Sequence, residues 1–255
     1  MELSLHRVLV FATSIVPLFL TIFSLQSIRS VSSAPPVAVA GAGYVTVNGT
    51  LYIQGGAYTL QNWTSAFSSL SLTTPWNDTS PPWKTIDIGN HFPVLNSLQS
   101  IAATPDKTRL VFWGSFSPPH NASLVIYNIP NNNWTTLTIV PNPVPNGNGI
   151  SVVIDPTTPS GGLGNLYAPD GCVDNTNTLS MCELASDQKT PALLPNPGGL
   201  VPTGLILYSF VYCTSRKTML LYGGATQSNE SNPNLYEYAA STSTWSLLVS
   251  HHVSS

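Results

Sequence analysis

Histidine, cysteine and carboxylate side chains do most of the metal binding and proton transfer in proteins, and this 255-residue chain groups none of them in a recognisable pattern. After the N-terminal apolar run the histidines are His91, His120, His251 and His252, and the last two stand in a stretch, 251–255, that reads as a tail. The cysteines are Cys172, Cys182 and Cys213, whose spacing fits no zinc pattern and which have no histidine near them in sequence. A G-x-S-x-G elbow and an H-E-x-x-H motif are both absent, so neither an activated serine nor a metal-bound water has its usual signature. Asp87, Asp155 and Asp170 are isolated and read as turn residues. The expectation is a protein without catalytic residues, metal or cofactor.

The side chains with legible chemistry are those that a secretory path would modify. Asn48, Asn62, Asn77, Asn121, Asn133 and Asn229 each begin an N-x-[ST] triplet with no proline in the middle, the acceptor pattern for N-linked glycans. Cys172 and Cys182 flank VDNTNTLSM, a turn-rich stretch suited to a loop between antiparallel strands, and in an oxidising compartment a bridge across it is expected. Closing a loop of about ten residues stabilises by roughly 2 to 3 kcal/mol. Cys213, left without a partner, reads as a buried small apolar residue. Arg7, the apolar run Val8 to Leu25 and the small residues of SVSSAPP have the layout of a secretory signal over 1–33, cut after Ser33 because Pro35 hinders cleavage at Ala34. An uncleaved membrane anchor is the alternative, since about 18 apolar residues reach the lower limit for spanning a bilayer.

Composition narrows the class. Only 7% of residues are charged and the net charge is -3, with no cluster of Lys or Arg, so the electrostatic footprint for nucleic acid is missing. Ser, Thr and Asn supply the polar surface instead. With 22 prolines and 18 glycines the profile is one of many short strands joined by turns, an all-β protein.

Internal repetition organises those strands. Apolar runs ending at glycine recur at a spacing of a little over fifty residues: LYIQGG (Leu51 to Gly56), LVFWGS (Leu110 to Ser115), LYAPDG (Leu166 to Gly171) and LLYGGA (Leu220 to Ala225). A strand follows, as in SLVIYNI with Tyr127 and NLYEYAA with Tyr236, then a turn and a tryptophan, Trp83, Trp134 or Trp245. Another strand precedes, as in GYVTVNG (Gly43 to Gly49) and ILYSFVYC (Ile206 to Cys213), which makes four short strands per unit.

These units resemble the kelch repeat, a four-stranded blade with a glycine pair ending its second strand, a tyrosine in its third and a tryptophan opening its fourth. The resemblance covers 40–250, with units at about 43–88, 97–140, 149–195 and 204–249. Gly55-Gly56 and Gly223-Gly224 carry it fully, Gly114 after Trp113 less so, and Gly171 after Asp170 mainly by position. It implies a β-propeller, in which glycine supplies the positive φ at the strand exit and Tyr and Trp fill the space between blades. Rings of this kind commonly have about six or seven blades. With four units here the ring is expected to be incomplete, the chain being a piece of a longer product.

By the same resemblance the function is binding, through loops at one mouth of the ring. Tyr58, Trp63, Phe116 and His120 lie in such loops and suit a glycan or peptide. The implied partner is an extracellular ligand, with a membrane involved only if the N-terminal segment stays or a C-terminal one follows. The rival readings are a fragment of a copper enzyme like galactose oxidase, whose ligands include histidines that none of the four here can be matched to, and the ectodomain of a receptor or wall protein.

Overall fold

The computed structural model describes Pro36 and residues 39–59, 62–89, 100–113, 123–138, 151–157, 162–169, 181–184, 192–193, 198–202, 205, 207–225 and 230–249, with Ser123, Thr138, 181–184 and 192–193 as backbone only. The chain divides into two units, Met1–Ser32 and Ser33–Ser255, and every described residue lies in the second. The leader, Asn121, Asn229, Phe116, His120, Gly114, Gly171, Cys172 and the 251–255 tail fall outside the described residues.

The protein is all-β; no helix occurs among the described residues. In the first sheet, β1 (Gly43–Val47), β2 (Thr50–Gln54), β5 (Phe67–Ser71) and β6 (Trp83–Ile86) pair in sequence order, and β3 (Ala57–Thr59) with β4 (Asn62–Trp63) forms a separate hairpin between β2 and β5. The second sheet holds β7 (Ser100–Ala103), β8 (Arg109–Trp113), β9 (Ser123–Asn128) and β10 (Asn133–Thr138). The third holds β11 (Val153–Ile154), β12 (Leu166–Pro169), β13 (Met181–Leu184) and β14 (Ala192–Leu193). The fourth holds β16 (Ser209–Cys213), β17 (Thr218–Tyr222), β18 (Leu235–Ala239) and β19 (Thr244–Val249), with β15 (Gly198–Gly199) added outside β19. All pairings are antiparallel except β15 with β19. Among the described residues no strand pairing joins one of these four sheets to another, so they form no closed barrel.

Side-chain alternation decides how the sheets stack, because each strand sends successive residues to opposite faces. Val47, Tyr52 and Phe67 of the first sheet bury against Ile101, Leu110, Phe112, Val125 and Tyr127 of the second. From the other face of the second sheet, Ala102, Val111, Trp113, Leu124 and Ile126 meet Val152, Ile154, Leu166 and Ala168. Val153 and Tyr167 then meet Phe210, Met219, Leu221, Tyr238 and Trp245 of the fourth sheet. The result is three cores between four sheets, stacked in chain order.

Aromatic rings close these contacts. Phe67 lies 5.5 Å from Phe112, 5.3 Å from Tyr127 and 5.4 Å from Trp134, and the Trp134 indole N–H donates to the Asp87 carbonyl at 2.9 Å. Tyr238 packs on Trp245 at 5.0 Å and approaches Tyr167 of the third sheet at 6.2 Å. Trp134 stands opposite Tyr127, and Trp245 opposite Tyr238, so the tyrosine in register with the fourth sheet's tryptophan is Tyr238 and not Tyr236. Trp83 faces Leu70 in the same place.

One further departure from the sequence reading has a local cause. Of the run read as a strand up to Cys213, the strand begins at Ser209, because Leu207 takes a left-handed φ of 58° and Tyr208 turns to donate its hydroxyl to the Pro169 carbonyl. Both glycine pairs exit their strands at positive φ, 70° and 104° for Gly55-Gly56 and 74° and 96° for Gly223-Gly224. A Cβ on Gly56 would also lie 2.8 Å from the Val39 side chain, so glycine is needed there for space as well as for its backbone angle.

Candidate functional site

Each sheet contributes its first strand to one cavity of about 740 Å³, lined by residues 41–46, 100–103, 151–154 and 207–212. The strands β1, β7, β11 and β16 come together there because stacking the sheets face to face in chain order brings their leading edges to a common side. Small residues such as Gly43, Ala102 and Ser151 keep the wall close to the backbone.

Hydroxyl groups supply most of the side-chain polarity of this wall, and several tie the sheets together. Ser100 accepts a hydrogen bond from the Val152 N–H at 2.8 Å, and Ser151 donates to the Tyr208 carbonyl at 3.2 Å. Tyr212 lies near Asp155 and bonds to Thr157; burial first, then the Asp155 charge, push its phenol above the ordinary value, so it remains a neutral hydrogen-bonding group at physiological pH. Tyr44 projects with 74% of its surface exposed. The lining residues include no carboxylate, amine, imidazole or thiol. Such a wall can hydrogen-bond and stack on a neutral polar molecule, and it has no group that shuttles protons near neutrality.

The β3–β4 hairpin is fixed beside this cavity. Ala40 and Ala57 exchange two backbone hydrogen bonds, 2.9 and 2.8 Å, immediately before Gly41 begins the lining, and Thr64 N–H donates to the Gly56 carbonyl at 2.9 Å. Of the four aromatic or imidazole loop residues singled out by sequence, this hairpin carries Tyr58, exposed, and Trp63, half-buried. Tyr44, Ser151, Tyr208 and Tyr212 were missed. The available signal was polar residues in first strands, which alternation alone assigns to a solvent face.

Asn48 occupies the two-residue β1–β2 turn and Asn77 the β5–β6 loop, at one end of the first sheet, while Asn62 is in the hairpin at the other; all three are exposed. Asn133 opens β10, also exposed. Asn77 Oδ1 accepts from Thr79, at 3.0 Å from the N–H and 2.9 Å from the hydroxyl. Asp87 and Asp155 do cap turns, accepting from Gly89 N–H at 2.9 Å and Thr157 N–H at 2.8 Å. Cys213 differs from expectation, being half-buried with its Sγ 3.4 Å from Ser215 Oγ. The Ser215 hydroxyl and then the Arg216 N–H hold its thiol below the usual cysteine range. No group of three or more His, Cys, Asp or Glu side chains comes together among the described residues. No protein-family model and no curated protein matches this sequence.

Proposed function

We propose that the four sheets are kelch-like propeller blades and that the protein is an exported, glycosylated binding module, without catalysis of its own, for a neutral glycan or an uncharged peptide. The observation that carries this reading is the cavity itself: four leading strands, a wall of hydroxyl and aromatic side chains, and no charge among its lining residues. Sugars are recognised by hydroxyl hydrogen bonds together with the apolar face of an aromatic ring, and the Tyr58–Trp63 hairpin, pinned at Ala40 next to the cavity, supplies such rings.

Screening the glycosylated protein against immobilised neutral oligosaccharides and uncharged peptides tests the proposal. Trp63→Ala and Tyr44→Ala are each expected to weaken a hit about ten-fold or more, as loss of an aromatic anchor does. Binding only to polyanions, or hits insensitive to both substitutions, would sink it.

A further inference from the structure

Trp76, in the β5–β6 loop, is held in place and left uncovered. Its indole N–H donates to the Ser71 carbonyl at 3.1 Å, which ties the ring to the start of its own loop. Among the described residues no other aromatic ring packs on it, and 41% of the residue is exposed. A pinned ring gives up rotamer freedom and still leaves apolar surface in water, a cost that a covering group offsets.

The next residue opens the triplet Asn77-Asp78-Thr79. Thr79 donates twice to the Asn77 side chain, from its N–H at 3.0 Å and from its hydroxyl at 2.9 Å. A backbone N–H only donates, so the atom it faces is the amide oxygen Oδ1, and Nδ2 is the atom left free. Asn77 is exposed, and Nδ2 has no partner among the described residues. An amide that carries a sugar on Nδ2 keeps its oxygen, so both bonds from Thr79 survive attachment. The side chains beside the other described sequons are already engaged. Val47 before Asn48 is buried against the second sheet, Trp63 after Asn62 is half-buried, and Trp134 after Asn133 packs on Phe67, Phe112 and Tyr127.

We propose that Asn77 carries an N-linked glycan whose first N-acetylglucosamine lies on the open face of Trp76, so that the sugar completes the β5–β6 loop. This rests on the reading of the chain as an exported glycoprotein. In the transfer, Nδ2 gives up one proton and bonds to the anomeric carbon of a lipid-diphosphate-linked oligosaccharide, while the bond from that carbon to the diphosphate breaks; nothing is oxidised or reduced. The C–H face of the first sugar then covers the indole and its hydroxyls stay in water.

The material for the test is the chain secreted from a eukaryotic host, in three forms: with full glycans, trimmed by an endoglycosidase to single N-acetylglucosamines, and stripped by an amidase that leaves at position 77 a carboxylate able to accept from Thr79. Peptide mapping by mass spectrometry reads occupancy, and the rate at which N-bromosuccinimide oxidises Trp76, mapped the same way, reads its cover. Asn77 is expected to be occupied, and Trp76 to react slowly in the first two forms and several-fold faster in the third. Stripping should also lower the thermal midpoint of wild type by about 2 to 4 °C more than that of Trp76→Ala, the size of one aromatic contact in a chain of this length. The oxidation rates need no substitution, so they decide the matter even if Trp76→Ala fails to fold. An empty Asn77 beside an occupied Asn48 or Asn62 overturns the proposal alone, as do equal oxidation rates in the trimmed and stripped forms or a midpoint loss that Trp76→Ala does not reduce. A secreted chain with no glycan at any sequon overturns the glycoprotein reading with it.

Discussion

Phe67 is the residue on which the first interface turns: fully buried, it is met by Tyr52 from its own sheet and by Phe112, Tyr127 and Trp134 from the next. Truncating a buried phenylalanine costs the transfer of its ring and leaves a cavity, together about 3 to 5 kcal/mol. Phe67→Ala is therefore expected to lower the unfolding free energy from urea denaturation by that amount, with Phe67→Leu losing markedly less. A second residue-scale prediction concerns acid. Arg216 and then Thr218 hold the Glu237 carboxyl at about 2, against an ordinary 4.5. Asp106 also reaches about 2: burial pushes it up, but hydrogen bonds from Thr104 and Thr108 and the Arg109 charge outweigh that. Both folded values are depressed, so the unfolded chain takes up these protons first. Their stabilisation is complete above the ordinary carboxylate range and fades as pH falls toward about 2. Replacing Glu237 with Gln should flatten the stability–pH slope in that window and leave its shape above pH 6 unchanged, as chemical denaturation at stepped pH would record.

At the scale of elements, the fourth sheet is finished by a strand from its own connector. Gly198 N–H donates to Ser243 O and Leu200 N–H to Trp245 O, each at 3.1 Å, so β15 covers the free edge of β19. Gly199 runs at φ 87°, and a Cβ there would sit 2.0 Å from the Trp245 carbonyl oxygen. Gly199→Val should detach β15 and destabilise the fourth sheet by about 2 kcal/mol or more, since neither the backbone angle nor the space admits it. Faster amide exchange in β19 with β8 unaffected would locate the effect. Such an edge strand was not legible in sequence: two glycines have no alternation, and a parallel partner far along the chain leaves no local trace. The β3–β4 hairpin was hidden for a related reason, being fixed by the Ala40 bridge and not by its own pattern. Long alternating runs such as Gly43–Val47 and Ser123–Asn128 were legible. Tyr236 and Tyr238 share one face, so alternation could not choose between them; the tight turn closed by Thr242 N–H on Ala239 O and Ser243 N–H on Ala240 O sets the register that puts Tyr238 opposite Trp245.

For the whole molecule, the cavity exists only because four leading strands converge, a property of the stacking order that no single segment encodes. The exposed sequons frame the first sheet at both ends, Asn48 and Asn77 at one and Asn62 at the other. Peptide mapping of secreted material by mass spectrometry is expected to find all three carrying glycans. If Asn62 is occupied, enzymatic removal of its sugar should raise affinity for large ligands more than for small ones, because it stands one residue from Trp63.

The pairing of Gly198–Gly199 with Thr244–Trp245 also orders events in time. A ribosome releases the connector well before β19, so β15 has no partner to join until the last strand has emerged. The first three sheets can stack one on another as synthesis proceeds, whereas the fourth waits for residues near its own end. A nascent chain arrested between Ala240 and Thr244 would display the 198–200 connector as a loose, protease-sensitive strip, and release of the remaining strand would seal it in one step.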